Sequence, residues 1–132
     1  MYNQVNLLTN ALNASWKRNE VIANNIANAN TPNFKRSDVE FEKLLEGYLK
    51  GNKLAGDRTH QNHIPIGMKS LDEVRHRVVK NDSFSTRLDG NNVDVDVEMA
   101  EMAKNTITFN TLSTQLNNHF ARLKIAINEG KR

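Results

Sequence analysis

Residues that could carry out chemistry are few in this chain, and their spacing does not favour catalysis. His60 and His63 form a His-x-x-His pair, but no cysteine, carboxylate or rigid helical frame accompanies them, so they are weak evidence for a metal site. No serine lies in a nucleophile-elbow pattern, and no histidine has a spacing that suggests a catalytic triad. The sequence therefore predicts no enzyme, no metal or other cofactor, and no small-molecule substrate.

Acidic residues concentrate just before a long helical pattern, where helix capping explains them better than acid–base catalysis. Asp94, Asp96 and Glu98 alternate with valines in this stretch. Aspartate is a favoured N-cap residue, and carboxylates stabilise the positive end of a helix. We expect Asp94 or Asp96 to cap the helix, and Glu98 and Glu101 to complement its N-terminal end.

Composition and charge narrow the class of protein. The 132 residues fit one domain, and an apolar content of 38% indicates a small core or apolar surface reserved for partners. The net charge is +3, but positive and negative segments alternate along the chain. Nucleic-acid-binding proteins more often concentrate basic residues in one block. We therefore expect no nucleic acid partner.

Neither a membrane anchor nor a cleaved leader is predicted. No apolar run approaches the roughly 20 residues of a membrane span. Amides interrupt the apolar residues near the N-terminus, so the apolar core of a signal peptide is missing. We expect a protein that is cytosolic, or that is exported by a route needing no cleaved signal.

The N-terminal part of the chain reads as one long amphipathic helix closed by a turn. Apolar residues recur at alternating intervals of three and four over residues 3–30, a heptad pattern that Ser15 and Asn19 interrupt. Because asparagine is abundant here, we expect this helix to be weak alone and to be ordered by packing against another. Pro32 ends the pattern, and Asn33 tolerates the positive φ that a turn requires.

The middle of the chain is less regular. Ser37 and Glu40 have the spacing of a capping box, which predicts a short helix from residue 37 to about residue 50. Residues 51–92 contain most of the glycines and have poor periodicity, so they are predicted to be extended or partly disordered. Within them, Val74, Val78 and Val79 could form a short strand or a turn of helix.

The C-terminal helix is predicted over residues 95–128 and carries the most regular pattern in the chain. Its apolar seam keeps an alternation of four and three over more than four heptads, which indicates coiled-coil packing. The seam consists of Val95, Met99, Met102, Thr106, Phe109, Ser113, Leu116, Phe120, Leu123 and Ile127.

Together these patterns predict a mainly α protein. Long N- and C-terminal helices with heptad seams form a pair, a short third helix follows the first, and the middle is irregular or disordered. The corresponding segments are residues 1–50, 51–92 and 93–132. One helix cannot bury the whole flank of the other, so neighbours are expected to complete the core. The residue pattern alone leaves open whether they form a helical tube or a closed bundle.

Two segments carry a resemblance to a known family. Residues 23–28 (Ala-Asn-Asn-Ile-Ala-Asn) followed by Thr31 and Pro32 look like the N-terminal signature of bacterial flagellar axial proteins. Residues 90–99, Phe109 and residues 123–130 are similar to the proximal rod protein B (FlgB) family of the flagellar basal body. Where that family usually has Gly-Tyr after Thr-Pro, this chain has Asn-Phe.

The resemblance implies a structural subunit that is exported unfolded through the flagellar type III gate. It would assemble into the proximal rod with itself, with other proximal rod proteins and with the rod-to-membrane-ring adaptor. Its place would then be the basal body, outside the cytoplasmic membrane. Two other interpretations stay open: another small rod subunit of type C, and a cytosolic coiled-coil adaptor or export chaperone.

Residues of both terminal helices are predicted to form the assembly interface. The family motifs carry this role onto Ile22, Asn24, Asn25, Ile26, Asn28, Thr31, Pro32, Val93, Asp94, Leu116, Leu123 and Ile127. The heptad seams add Leu8, Leu12, Met99, Met102, Phe109 and Phe120.

Overall fold

Two long helices dominate the computed structural model, which describes residues 2–49, 74–81 and 87–129. The mainly α class and the long helices at both ends are confirmed. In chain order, the elements are α1 (Tyr2–Ala27), β1 (Ser37–Glu40), α2 (Glu42–Leu49), β2 (Arg77–Lys80) and α3 (Val95–Glu129). The His-x-x-His pair and most of the predicted irregular middle lie outside the described residues.

The helix predicted to start at Ser37 is wrong over its first turn, because residues 37–40 form strand β1. This strand pairs antiparallel with β2, so that Ser37 lies opposite Lys80 and Glu40 opposite Arg77. The other edge of β1 is bound by α1. The Asn25 amide donates to the Ser37 carbonyl at 2.9 Å and accepts from the Ser37 N–H at 3.0 Å. These backbone groups are therefore unavailable to a helix.

Helix α1 lies between two neighbours. On one side it packs along α3, and on another it contacts α2 and Val74, which lies three residues before β2. The core there joins Ala14 of α1, Phe41 and Val74, which are all buried. Partly buried apolar residues surround this cluster, namely Leu7, Ala11, Leu44, Leu45 and Tyr48.

Helix α3 is the longest element, with 35 residues and a length of roughly 52 Å. The prediction of an aspartate cap is confirmed at Asp94. Its Oδ1 accepts the Asp96 N–H at 3.0 Å and the Val97 N–H at 3.4 Å. Helix α1 has 26 residues, so α3 extends beyond it.

Candidate assembly surface

A clasp of two turns holds the C-terminal end of α1 against the start of α3. The buried Asn91 amide donates to the carbonyls of Asn28 at 3.0 Å, Ala29 at 3.0 Å and Thr31 at 2.9 Å. Its Oδ1 accepts the Val93 N–H at 2.7 Å. One side chain thus donates to three carbonyls of the turn that follows α1, and the Asn28 and Thr31 carbonyls accept a backbone N–H as well.

The predicted positive φ at Asn33 is confirmed at 59°, and it brings the two turns of the clasp together. The Asn33 N–H donates to the Asp89 carbonyl at 2.8 Å. The neighbouring Gly90 has a φ of +73°, and a Cβ there would lie 2.6 Å from the Asn33 Oδ1. The pKa of the Asp89 carboxyl is lowered, first by the Asn91 N–H and then by Arg87.

The long helices pair in an antiparallel sense through two buried polar layers, the first of which contains Ser15, Asn19 and Asn105. The Ser15 hydroxyl donates to the Asn105 Oδ1 at 2.9 Å. The Asn105 amide donates to the Ser15 carbonyl at 2.8 Å and to the Asn19 Oδ1 at 2.7 Å. The two polar interruptions in the N-terminal heptad pattern therefore meet one asparagine of α3.

The second polar layer contains Asn25, Arg36 and Glu98. The Glu98 carboxylate is 1% exposed, accepts the Asn25 amide at 3.0 Å and lies 3.1 Å from the Arg36 guanidinium. Buried charges are tolerated when they are paired and hydrogen-bonded. Glu98 therefore does more than complement the helix end, because it connects α3 with α1 and with the strand segment.

The more buried residues of α3 form an inner line, in which Glu98 and Asn105 contact α1. Its members are buried or partly buried and alternate by four and three: Glu98, Met102, Asn105, Phe109, Leu112, Leu116, His119 and Leu123. The predicted seam agrees at Met102, Phe109, Leu116 and Leu123. At positions 99, 106 and 120 the residue one earlier, namely Glu98, Asn105 or His119, is the more buried one. At these positions the predicted seam is therefore rotated away from the buried face of α3.

The alternate seam residues instead form an outer line on α3, consisting of Met99, Thr106, Ser113, Phe120 and Ile127. Met99 is 56% exposed, Phe120 51% and Ile127 67%. No member of the outer line is charged. Trp16 of α1 is 64% exposed. It comes one residue after Ser15, just as Thr106 comes one residue after Asn105, so in the antiparallel pair it lies on the same flank as the outer line. We call this flank of the helix pair the open side.

On the opposite flank, which we call the closed side, β1 and α2 pack against α1. Residues one position before the inner line, including Glu101 and Lys104, line a cleft of about 560 Å³ with β1 and Arg18. Arg18 reaches the Glu42 carboxylate with two hydrogen bonds of 2.6 and 2.8 Å. This hydrogen bonding lowers the pKa of the Glu42 carboxyl. In the same way, hydrogen bonds from Lys43 and Arg77 lower the pKa of Glu40.

The predicted interface residues fall into two groups. Ile22, Asn25 and Val93 are buried within the chain, so they hold its shape and do not reach a neighbour's surface directly. The others are exposed or partly exposed in the described residues: Leu8, Leu12, Asn24, Ile26, Asn28, Thr31, Pro32, Asp94, Met99, Met102, Phe109, Leu116, Phe120, Leu123 and Ile127.

Sequence reasoning missed Asn91, Asn105 and Trp16 as key positions. The available signal for Asn105 was the pair of polar interruptions in α1, which call for a polar partner in the facing helix. Within the described ranges, no group of three or more histidine, aspartate and glutamate residues is placed to hold a metal ion. No helix within those ranges is both long enough and apolar enough to cross a membrane.

Comparison with known proteins gives a consistent result. The family described as "Flagella basal body rod protein" matches residues 6–35, which cover most of α1 and the turn after it. The flagellar basal body rod protein FlgB of Bacillus subtilis is 36% identical over 124 residues, which span 94% of this chain and 92% of that protein. FlgB of Borreliella burgdorferi is 37% identical, with 83% and 84% coverage. FlgB of Proteus mirabilis is 30% identical, with 91% and 90% coverage. The chain therefore belongs to the FlgB family of flagellar basal body rod proteins.

Proposed function

We propose that this chain is a structural subunit of the proximal flagellar rod. It assembles with itself and with other proximal rod proteins through α1 and α3 to form the drive-shaft tube of the basal body. The observation that carries this proposal is the open side, where apolar residues remain exposed along the helix pair. Membership of the FlgB family supports a location in the flagellar basal body.

The pattern of the open side favours a helix as the packing partner. The outer line and the residues it shares with the inner line recur at intervals of four and three, which fit the side chains of a parallel or antiparallel helix. A contiguous apolar surface on a small protein usually marks an interaction site. Because the line is uncharged, its partner is expected to present uncharged side chains as well.

The proposal includes partners and place. The subunit passes the type III export gate without a cleaved signal and takes its place outside the cytoplasmic membrane, beside the rod-to-membrane-ring adaptor. The relatives support a structural role, because their names are those of rod proteins and not of enzymes. Their shared FlgB name also favours this role over that of a type C subunit.

The test is complementation of a strain in which the gene is deleted, scored by motility and by electron microscopy of basal bodies. Three genes are supplied: the wild type, Thr106→Glu on the open side, and the control Thr111→Glu. Both threonines are exposed on α3, and both hydroxyls donate to the carbonyl four residues earlier. The two substitutions therefore make the same chemical change in different directions around one helix.

We expect the deletion strain to keep the membrane ring but to build no rod. Wild type and Thr111→Glu should restore rods, whereas Thr106→Glu should not, because a carboxylate would enter the apolar contact. Flagella on the deletion strain would overturn the proposal and favour the cytosolic adaptor. Equal rescue by both variants would exclude the open side as the assembly surface.

A further inference from the structure

Helix α3 offers α1 two alternative packing lines, and hydrophobicity alone selects the wrong one. The two lines share Met102, Phe109, Leu116 and Leu123. At the remaining positions the inner line has Glu98, Asn105, Leu112 and His119, whereas the outer line has Met99, Thr106, Ser113 and Phe120. Despite the two exposed apolar side chains, Met99 and Phe120, the outer line is not the one that α1 covers.

We infer that the two buried polar layers determine which line of α3 faces α1. Asn105 and Glu98 are the positioning residues, and Ser15, Asn19 and Asn25 on α1 are their counterparts. Three hydrogen bonds of 2.7 to 2.9 Å join Asn105 to Ser15 and Asn19 across the helix pair in the first layer. A polar residue buried in a helix seam is known to fix the geometry of pairing at some cost in stability.

The consequence follows from rotating α3. If the outer line turned towards α1, Asn105 would lose Ser15 and Asn19, and Glu98 would lose Asn25 while approaching the flank of the pair. The polar layers thus keep α3 in the orientation that leaves Met99 and Phe120 exposed. That these exposed residues serve a partner rests on the proposed function, whereas the orientation itself does not.

Disulfide trapping can test the orientation, because the full-length chain contains no cysteine. Seven residues before Ser15 lies Leu8, and seven residues after Asn105 lies Leu112, so these two side chains face each other in the antiparallel pair. Leu8→Cys is combined with Leu112→Cys to report the inner line, or with Ser113→Cys to report the outer line. The yields of the two disulfides under one oxidant are compared, and circular dichroism monitors the helix content.

In the wild-type background, we expect the disulfide to position 112 to form in at least about tenfold excess over that to position 113. Adding Ser15→Ala and Asn19→Ala removes the side-chain partners of Asn105 without adding bulk. We expect the ratio to change by about tenfold towards position 113, because Asn105 loses two of its three hydrogen bonds and keeps only the one to the Ser15 main-chain carbonyl. The control Asn13→Ala with Asn24→Ala, at exposed positions of α1, should leave the ratio unchanged.

A second variant keeps the inference falsifiable if the double alanine variant unfolds. Thr106→Leu adds an apolar residue to the outer line at an exposed position and leaves both polar layers intact. We expect the disulfide to position 112 to remain dominant. A change towards position 113 would show that hydrophobicity sets the orientation and would overturn the inference. So would an unchanged ratio in a folded double alanine variant, or no preference for position 112 in the wild-type background.

These outcomes are independent of rod assembly, because they concern only the isolated chain. A failed complementation test would refute the proposed partner but would not affect the inference on the orientation of α3 relative to α1. A failed trapping test would remove the polar layers as positioning groups, even if Thr106→Glu blocked the rod.

Discussion

The open and closed sides of the α1–α3 pair differ in what packs against them and in the charge of their exposed residues. On the closed side, β1 and α2 pack against α1, and charged residues around the cleft form ion pairs such as Arg18–Glu42 and Lys43–Glu40. On the open side, uncharged residues including Trp16, Met99 and Phe120 remain exposed. The chain therefore packs its own β1 and α2 on one flank of α1, and we propose that a neighbour packs on the other.

The largest contrast is expected from one substitution made on each side. Phe41→Ala removes a buried ring from the closed-side core and should lower the free energy of unfolding by about 3–5 kcal/mol. Phe120→Ala removes a half-exposed ring and should change it by less than about 1 kcal/mol. Urea titration followed by circular dichroism measures both. Equal losses would mean that the open side is part of the chain's own core.

Breaking the buried ion pair should have the next largest effect. Glu98→Ala leaves the Arg36 guanidinium without its carboxylate and the Asn25 amide with one partner fewer. We expect a loss of about 3 kcal/mol, since removing one partner of a buried pair is strongly destabilising. The exposed Glu46, on α2, provides a control as Glu46→Ala. If the two variants melt alike, the second polar layer does not stabilise the helix pair.

The clasp can be tested at a glycine. Gly90→Ala places a Cβ 2.6 Å from the Asn33 Oδ1 at a φ of +73°, so both the contact and the backbone must adjust. The expected cost is about 1–3 kcal/mol. Gly47→Ala is the matched control, because that Cβ would meet nothing within 4 Å in helix α2. It should be neutral or slightly stabilising by helix propensity, and a similar loss in both variants would contradict the role of the clasp.

The smallest expected effect concerns the charges of the closed side. Since Arg18 lowers the pKa of Glu42 in the folded chain, the pair stabilises above the ordinary pKa of glutamate. That contribution is lost as the pH falls through the lowered value. Because Glu42 is largely exposed, Glu42→Gln should cost only about 0.2–1 kcal/mol at neutral pH.

The pH dependence of this variant supplies its own control. The difference between wild type and Glu42→Gln should vanish at an acidic pH below the lowered pKa of Glu42, where the carboxyl is protonated. Urea midpoints at the two pH values measure it. A difference that persists at low pH would show that Glu42 acts through packing or helix capping and not through its charge.

Much of the architecture could be predicted because the deciding signals are local. The heptad patterns give the two long helices, Asp94 gives the cap of α3, and Asn33 gives a turn with positive φ. Each depends on residues within a few positions of one another. These local signals therefore predict the ends of the two long helices to within a few residues.

What the sequence did not predict depends on contacts between distant residues. Ser37 and Glu40 have a capping-box spacing, yet Asn25 and the pairing with β2 hold this segment as a strand. Choosing between two lines of α3 that lie one residue apart requires knowing that Ser15 meets Asn105, 90 positions away. Periodicity cannot supply this match, because it counts apolar residues and ignores polar partners.

The accessibility of one cysteine on the open side shows whether a neighbouring subunit covers this flank in the assembled rod. Thr106→Cys introduces the only thiol of the chain at an exposed position, and maleimide labelling rates are compared between the isolated protein and purified basal bodies. We expect rapid labelling of the isolated protein and strong protection in basal bodies, because assembly through the open side would place a neighbouring helix over position 106. Equally rapid labelling in both would contradict it.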